Sequence, residues 1–403
     1  MKSTTVEGRA KTKNGVTRLV FSVICILLEV IFIILMFTKL NRYAEAVNLL
    51  TRVVGVIVIL NMYASPVTST IKVPWILLIL MFPIMGLGLY LLVGLNGGTE
   101  KMRRRYQKID EQLLPLLPEN RKIQEKLLQK IPRAGNISSY IHRNAGYPVY
   151  QNTDVTYFDE AAKGLEAQLQ DLAKAEQFIF MEYHAIEDAE AWHRIQQVLE
   201  DRVKAGVELR VFYDDMGSIG FINTDFTKKM EAVGIRCRVF NPFMPGLNLF
   251  LNNRDHRKIT VIDGKVGFTG GYNLANEYFN LTHPYGQWKD TGIRLEGDAV
   301  RSLTVTFLEM WNAVNDKDEN DTDFARFLLE YPYKAQQTGF VQPYADSPLD
   351  GEKVGEEVYI SMVNKAEKYC WFMTPYLIIT DEMAHAMTLA AKRGVDVRII
   401  TPG

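Results

Sequence analysis

Apolar residues fall into unbroken runs near the N-terminus and into short alternating or helical periods after about residue 145. Residues 19–38 form a run long enough to cross a bilayer, interrupted by one charge, Glu29. The run is too long for the apolar part of a secretory signal, and no small-x-small cleavage site follows it. Residues 74–95 make a second candidate span, with Trp75 and Tyr90 near its ends as interface anchors. Pro83 is placed to kink it, and Gly86, Gly88 and Gly94 to let helices pack closely. Residues 53–64 are apolar but short, so they read as an interfacial segment or as a third span that recruits Arg52. Glu29 would be either functional or neutralised by a proton or a neighbouring helix.

Beyond a basic, helical connector at 99–145 the periods change, and strands and helices alternate. Strands are predicted at 177–183, 207–213 and 236–240, with helices at 191–204 and 226–233 between them. Residues 258–262 and 266–269 form a further pair of strands joined at Asp263-Gly264. This order predicts an α/β layered fold, a mixed sheet flanked by helices. It then restarts. Residues 175–183 are echoed by 366–376, and Lys204-Ala205-Gly206-Val207 by Lys392-Arg393-Gly394-Val395 at nearly the same offset. The expected organisation is a membrane anchor at 1–98, the connector at 99–145, a first α/β unit at 146–335 and the start of a second at 336–403. Because the second copy stops early, the chain reads as a fragment of a longer protein.

Charge sharpens this division. Residues 1–150 hold 20 Lys+Arg against 8 Asp+Glu, and the remaining residues hold 26 against 39, so the net charge of −1 conceals a basic N-terminal part and an acidic body. A basic section beside apolar runs points to an anionic membrane surface, and the acidic body argues against nucleic acid. Basic residues flank the outer spans on both sides (Lys11, Lys13 and Arg18; Arg103, Arg104 and Arg105), which places both ends in the cytoplasm. The three cysteines, Cys25, Cys237 and Cys370, are far apart and suggest neither a disulfide framework nor a metal site.

The chemistry concentrates at His256-Arg257-Lys258-Ile259-Thr260-Val261-Ile262-Asp263, followed by Gly270-Gly271-Tyr272-Asn273. An imidazole can attack phosphorus or carry a proton, an ammonium can balance phosphoryl charge, and an amide can donate to the same oxygens. The spacing H-x-K-x4-D-x6-G-G-x-N resembles the HKD motif of the phospholipase D superfamily. With Met181-Glu182-Tyr183-His184, Tyr213-Asp214-Asp215-Met216-Gly217-Ser218 and Trp288-Lys289-Asp290-Thr291, the chain is similar to bacterial cardiolipin synthases of that type.

The resemblance implies transfer of a phosphatidyl group between two phosphatidylglycerols through a phosphohistidine, at a bacterial cell membrane and without a cofactor or metal. The alternative is a phosphodiesterase or nuclease of the same superfamily that uses water. The catalytic candidates are His256, Lys258 and Asp263, although Asp263 suits the strand turn better. Supporting candidates are Asn273, Gly271, Asp290 and Glu277, with Asp290 expected to hold the nucleophilic imidazole in its tautomer. A second motif, with its own histidine, is expected beyond residue 403. His184 reads as a structural or surface histidine, and His142, His193, His283 and His385 lack ligand spacing.

Overall fold

The computed structural model describes residues 44–65, 69–90, 97–223, 225–242, 254–314, 323–347 and 349–402, with isolated helical positions between 23 and 34. The first candidate span, with Glu29, lies almost wholly outside the described residues, as does Gly94. The described residues divide into two compact units, one up to residue 101 and one within 102–241 and 254–402.

In the first unit, helices run over Ala44–Ala64, Ser69–Met81 and Pro83–Leu89. The second candidate span is therefore two helices, broken at Phe82 (φ −133°, ψ 75°) because Pro83 cannot continue the ladder. Of the two described glycines predicted to aid packing, only Gly86 does so. A Cβ there would lie 2.7 Å from the Ile79 Cα, whereas at Gly88 it would meet nothing. Lys72 donates to the Tyr63 and Ser65 carbonyls at 3.1 and 2.5 Å, satisfying the open end of the preceding helix. Among the described residues, no helix is long and apolar enough to cross a membrane. Leu49, Leu60, Leu80 and Met81 are nevertheless all more than half exposed.

The second unit is built on a seven-stranded mixed sheet. Its strands are β1 (Thr153–Phe158), β2 (Phe178–Tyr183), β3 (Glu208–Asp214), β4 (Arg236–Phe240), β5 (Lys258–Ile262), β6 (Val266–Gly270) and β7 (Gly292–Gly297). The spatial order is β1-β7-β6-β5-β2-β3-β4. β2, β3 and β4 are parallel, joined by helices, and every other pairing is antiparallel. This agrees with the mixed, helix-flanked sheet expected from the alternation.

Both faces are buried, which is why these strands read as continuous apolar runs. Phe178, Phe180, Ile259 and Val261 pack on one side with the helix Val300–Val314. Ile179, Met181, Tyr183 and Ile262 pack on the other with the helices Ala161–Leu172 and Glu190–Lys204. Period-two alternation thus sends Glu182 to the same side as Phe180. The repeat seen in the sequence has a geometric counterpart. β8 (Tyr369–Met373) and β9 (Asp396–Ile400) pair in parallel around the helix Asp381–Lys392, as β2 and β3 do around Glu190–Lys204.

Candidate active site

β5 and β2 pair so that Tyr183 stands opposite Lys258, which brings the residues after β2 beside those before β5. His256 lies at the surface of a cleft of about 690 Å³, walled in part by Lys258, Ile259, Leu303, Met310 and Tyr344. Partial burial of its ring, then the Lys258 charge and then His184, push its pKa down to about 4. The imidazole is neutral near pH 7 and keeps a lone pair for attack. Lys258 is buried, and its ammonium folds back onto the His256 carbonyl at 2.6 Å. Burial lowers its pKa to about 8, against the pull of Asp255, Asp290 and Asp214. It stays mostly cationic at neutral pH.

The remaining candidates divide. Asp290 sits at the mouth of β7, its oxygens accepting from the Thr291 N–H at 2.8 Å and the Trp288 indole at 3.4 Å. Burial raises its pKa, with Lys258 opposing. No hydrogen bond joins it to His256 among the described residues, and its electrostatic partner is Lys258. Asn273 is buried and bridges two loops, accepting from the Ala185 N–H at 3.1 Å and donating to the Tyr278 hydroxyl at 2.8 Å. Glu277 lies on the short 3-10 turn Asn276–Phe279, where its charge bears on Tyr278.

Two further candidates make structural contacts. The Gly271 N–H donates to the Thr291 carbonyl at 3.1 Å and so is not free for a phosphate. Glycine is required there because a Cβ would lie 2.2 Å from the Asp290 Oδ1. Asp263 stands at the opposite end of β5 from His256, with φ 54°. Its carboxylate accepts from the backbone N–H groups of Glu176 (2.9 Å), Gln177 (2.7 Å) and Phe178 (2.9 Å). It fastens the turn to β2 and cannot reach the cleft.

Among known proteins, two family models match. One is described as "Cardiolipin synthase, PLD-like domain", over residues 359–403, and the other as "Phospholipase_D-nuclease N-terminal", over residues 52–94. An uncharacterized protein of Streptococcus mutans is 42% identical over 86% of this chain and 74% of its own length. The cardiolipin synthase of Oceanobacillus iheyensis is 31% identical over 81% of this chain and 68% of its own length. The chain belongs to the cardiolipin synthase family. A further cardiolipin synthase, from Clostridium perfringens, is 30% identical over 82% of this chain and 69% of its own length. The chain thus spans about two thirds to three quarters of the length of these relatives.

In this member of the cardiolipin synthase family, the motif strand is backed by a charged interior that sequence reasoning missed. Arg257, next to the motif histidine, turns inward. It lies 3.7 Å from the buried Glu182 and donates to the Thr306 and Asp346 carbonyls at 3.3 and 3.1 Å. Around this one guanidinium stand Glu182, Asp255, Glu309, Asp110 and Asp350. Burial of these carboxyls outweighs the pull of Arg257, and of Arg103 on Asp350, so carboxyls here retain protons. Burial and the neighbouring Asp255 hold Glu182 well above the carboxylate range. Burial raises Glu309 to about 7, although Tyr147 and Tyr106 donate to it at 2.9 and 3.2 Å. The available signal was a Glu inside an otherwise apolar strand.

His184 was also passed over. Its ring centroid lies 4.7 Å from that of His256, at an interplanar angle of 52°. An aromatic shelf completes the surroundings: Tyr278 and Trp288 lie 4.7 Å apart, and Asn280 holds the Trp288 backbone by two hydrogen bonds.

Proposed function

We propose that this protein is a membrane-bound phosphatidyltransferase joining two phosphatidylglycerols into cardiolipin and releasing glycerol. The observation that carries the reading is a neutral imidazole at His256 beside the buried cation Lys258, in a chain of the cardiolipin synthase family. His256 attacks phosphorus; an N–P bond forms as the P–O bond to the head-group glycerol breaks. Lys258 stabilises the charge that gathers on the phosphoryl oxygens, and Asp290 balances Lys258. A second imidazole, expected from a second motif, protonates the departing glycerol oxygen. It then takes the proton from the hydroxyl of the incoming phosphatidylglycerol, whose oxygen displaces His256. One phosphodiester is exchanged for another, so the chemistry needs no nucleotide.

The anchor is assigned to the N-terminal residues. Their exposed apolar side chains at Leu49, Leu60, Leu80 and Met81 suit a lipid environment. The basic residues Arg103, Arg104 and Arg105 suit an anionic cytoplasmic leaflet, with the catalytic body on the same side. The test is product analysis on the full-length protein in membranes with phosphatidylglycerol, beside His256→Ala. Cardiolipin and glycerol from the wild type alone support the reading. Phosphatidic acid would make water the acceptor, and absence of lipid turnover in the wild type would overturn the assignment.

A further inference from the structure

The reaction sequence above leaves one conspicuous neighbour of His256 without a task. We propose that His184 is a positioning residue, an imidazole wedge that covers one side of the His256 ring and keeps it aimed for attack. The proposal rests on the reading of His256 as nucleophile.

His184 leaves the end of β2 and is tied to the residues on either side of His256. Its backbone N–H donates to the Arg257 carbonyl at 3.2 Å, and its Nδ1 lies 2.7 Å from the Asp255 carbonyl. A carbonyl can only accept, so the proton is on Nδ1 and the ring orientation is fixed. The space behind it is made by Gly217. A Cβ there would lie 2.2 Å from the His184 carbonyl oxygen and 2.7 Å from both Cε1 and Nε2.

The same construction holds Gly217 and the Asp255 grip together. Asp214 accepts from the Met216 and Gly217 N–H groups at 2.9 and 3.0 Å, and from the Asp255 N–H at 3.0 Å. The wedge is thus seated on a hydrogen-bonded floor, its ring tilted at 52° to that of His256.

The charged and titratable groups around His256 give the wedge a purpose. Lys258 faces the ring from its own strand and His184 from the end of β2. Asp255, Asp290 and Asp214 act on Lys258, while Arg257 is turned to the Glu182 side. A proton on His256 would add a second cation beside Lys258, on a ring that His184 covers from water on one side. The wedge therefore favours the uncharged ring that attack on phosphorus needs.

The test is the pH dependence of His256 carbethoxylation by diethyl pyrocarbonate, read by peptide mass in the full-length protein in membranes. Only neutral imidazole reacts. The wild type is expected to react at His256 down to about pH 5, and His184→Ala to raise the midpoint by about one pH unit. The same variant should lower kcat for cardiolipin at least tenfold with little change in KM. His184→Phe restores a packed ring and should return the low midpoint. Gly217→Ala, which displaces His184 without altering it, should reproduce the raised midpoint and serves if His184→Ala does not fold. An unchanged midpoint in the alanine variants, or His184→Phe behaving like alanine, overturns the proposal. The midpoint is read without turnover, so a wild type that makes no cardiolipin would count against the function and leave the wedge to be judged separately.

Discussion

Replacing Asp263 by Ala separates what the motif needs for chemistry from what it needs for folding. The side chain is only 5% exposed and accepts three backbone N–H groups that begin β2. Hydrogen bonds to a charged acceptor contribute about 1.5–3 kcal/mol each in mutational series. Two of these donors belong to exposed residues, so water recovers part of that, and about 3 kcal/mol in total is reasonable. Asp263 also sits at φ 54°, a left-handed conformation that Asp tolerates and Ala does not, which costs about 1 kcal/mol more. The sum of about 4 kcal/mol should lower Tm by about 10 °C in a unit of this size. Asp263→Asn keeps the left-handed preference and one acceptor oxygen, and should lose about half as much.

Catalysis should barely move. At about 3.4 Å per residue, the length of β5 puts Asp263 about 17 Å from Lys258, too far for its carboxylate to touch a phosphoryl group. The assay pairs thermal unfolding by circular dichroism with the initial rate of cardiolipin formation per folded molecule. A loss of about a hundredfold in rate with Tm unchanged would refute the structural assignment and return Asp263 to the catalytic set.

Two further outcomes follow from the charge arrangement. Activity should fall as pH rises through about 8, where Lys258 loses its charge, and on the acid side only as pH approaches about 4, where His256 gains one; a kcat–pH profile reads both limbs. Glu182→Gln should match the wild type in Tm at low pH and exceed it as pH rises. A carboxyl whose folded pKa is raised gives stability below its unfolded pKa and loses it as pH climbs, whereas Gln does not titrate. Glu182→Ala, by contrast, should lie about 3 kcal/mol below the wild type at low pH because it leaves a buried cavity, with the gap narrowing as pH rises, and pH-resolved melting curves distinguish the two variants.

What was legible in the sequence was whatever a local period or a fixed spacing records. β2 and β5 are buried on both faces, so their apolar runs were visible, and Pro83 announced the break that divides residues 69–89 into two helices. The repeat was legible because β8 and β9 restate the β2 and β3 pairing. The helix Val300–Val314 was not, because it is buried almost all round and shows no polar stripe to set its period. The site divides along the same line. His256 and Lys258 belong to one strand and one spacing, whereas the groups that govern them arrive through tertiary structure. Glu182 meets Arg257 because alternation in β2 points it across the sheet, and His184 meets His256 because β2 and β5 are adjacent. A carboxylate in an apolar strand and a histidine just past its end are the signs such a site leaves in one dimension. Both are ambiguous until the sheet order is known. The motif thus names the atoms proposed to react, while their protonation depends on neighbours that only the sheet order selects.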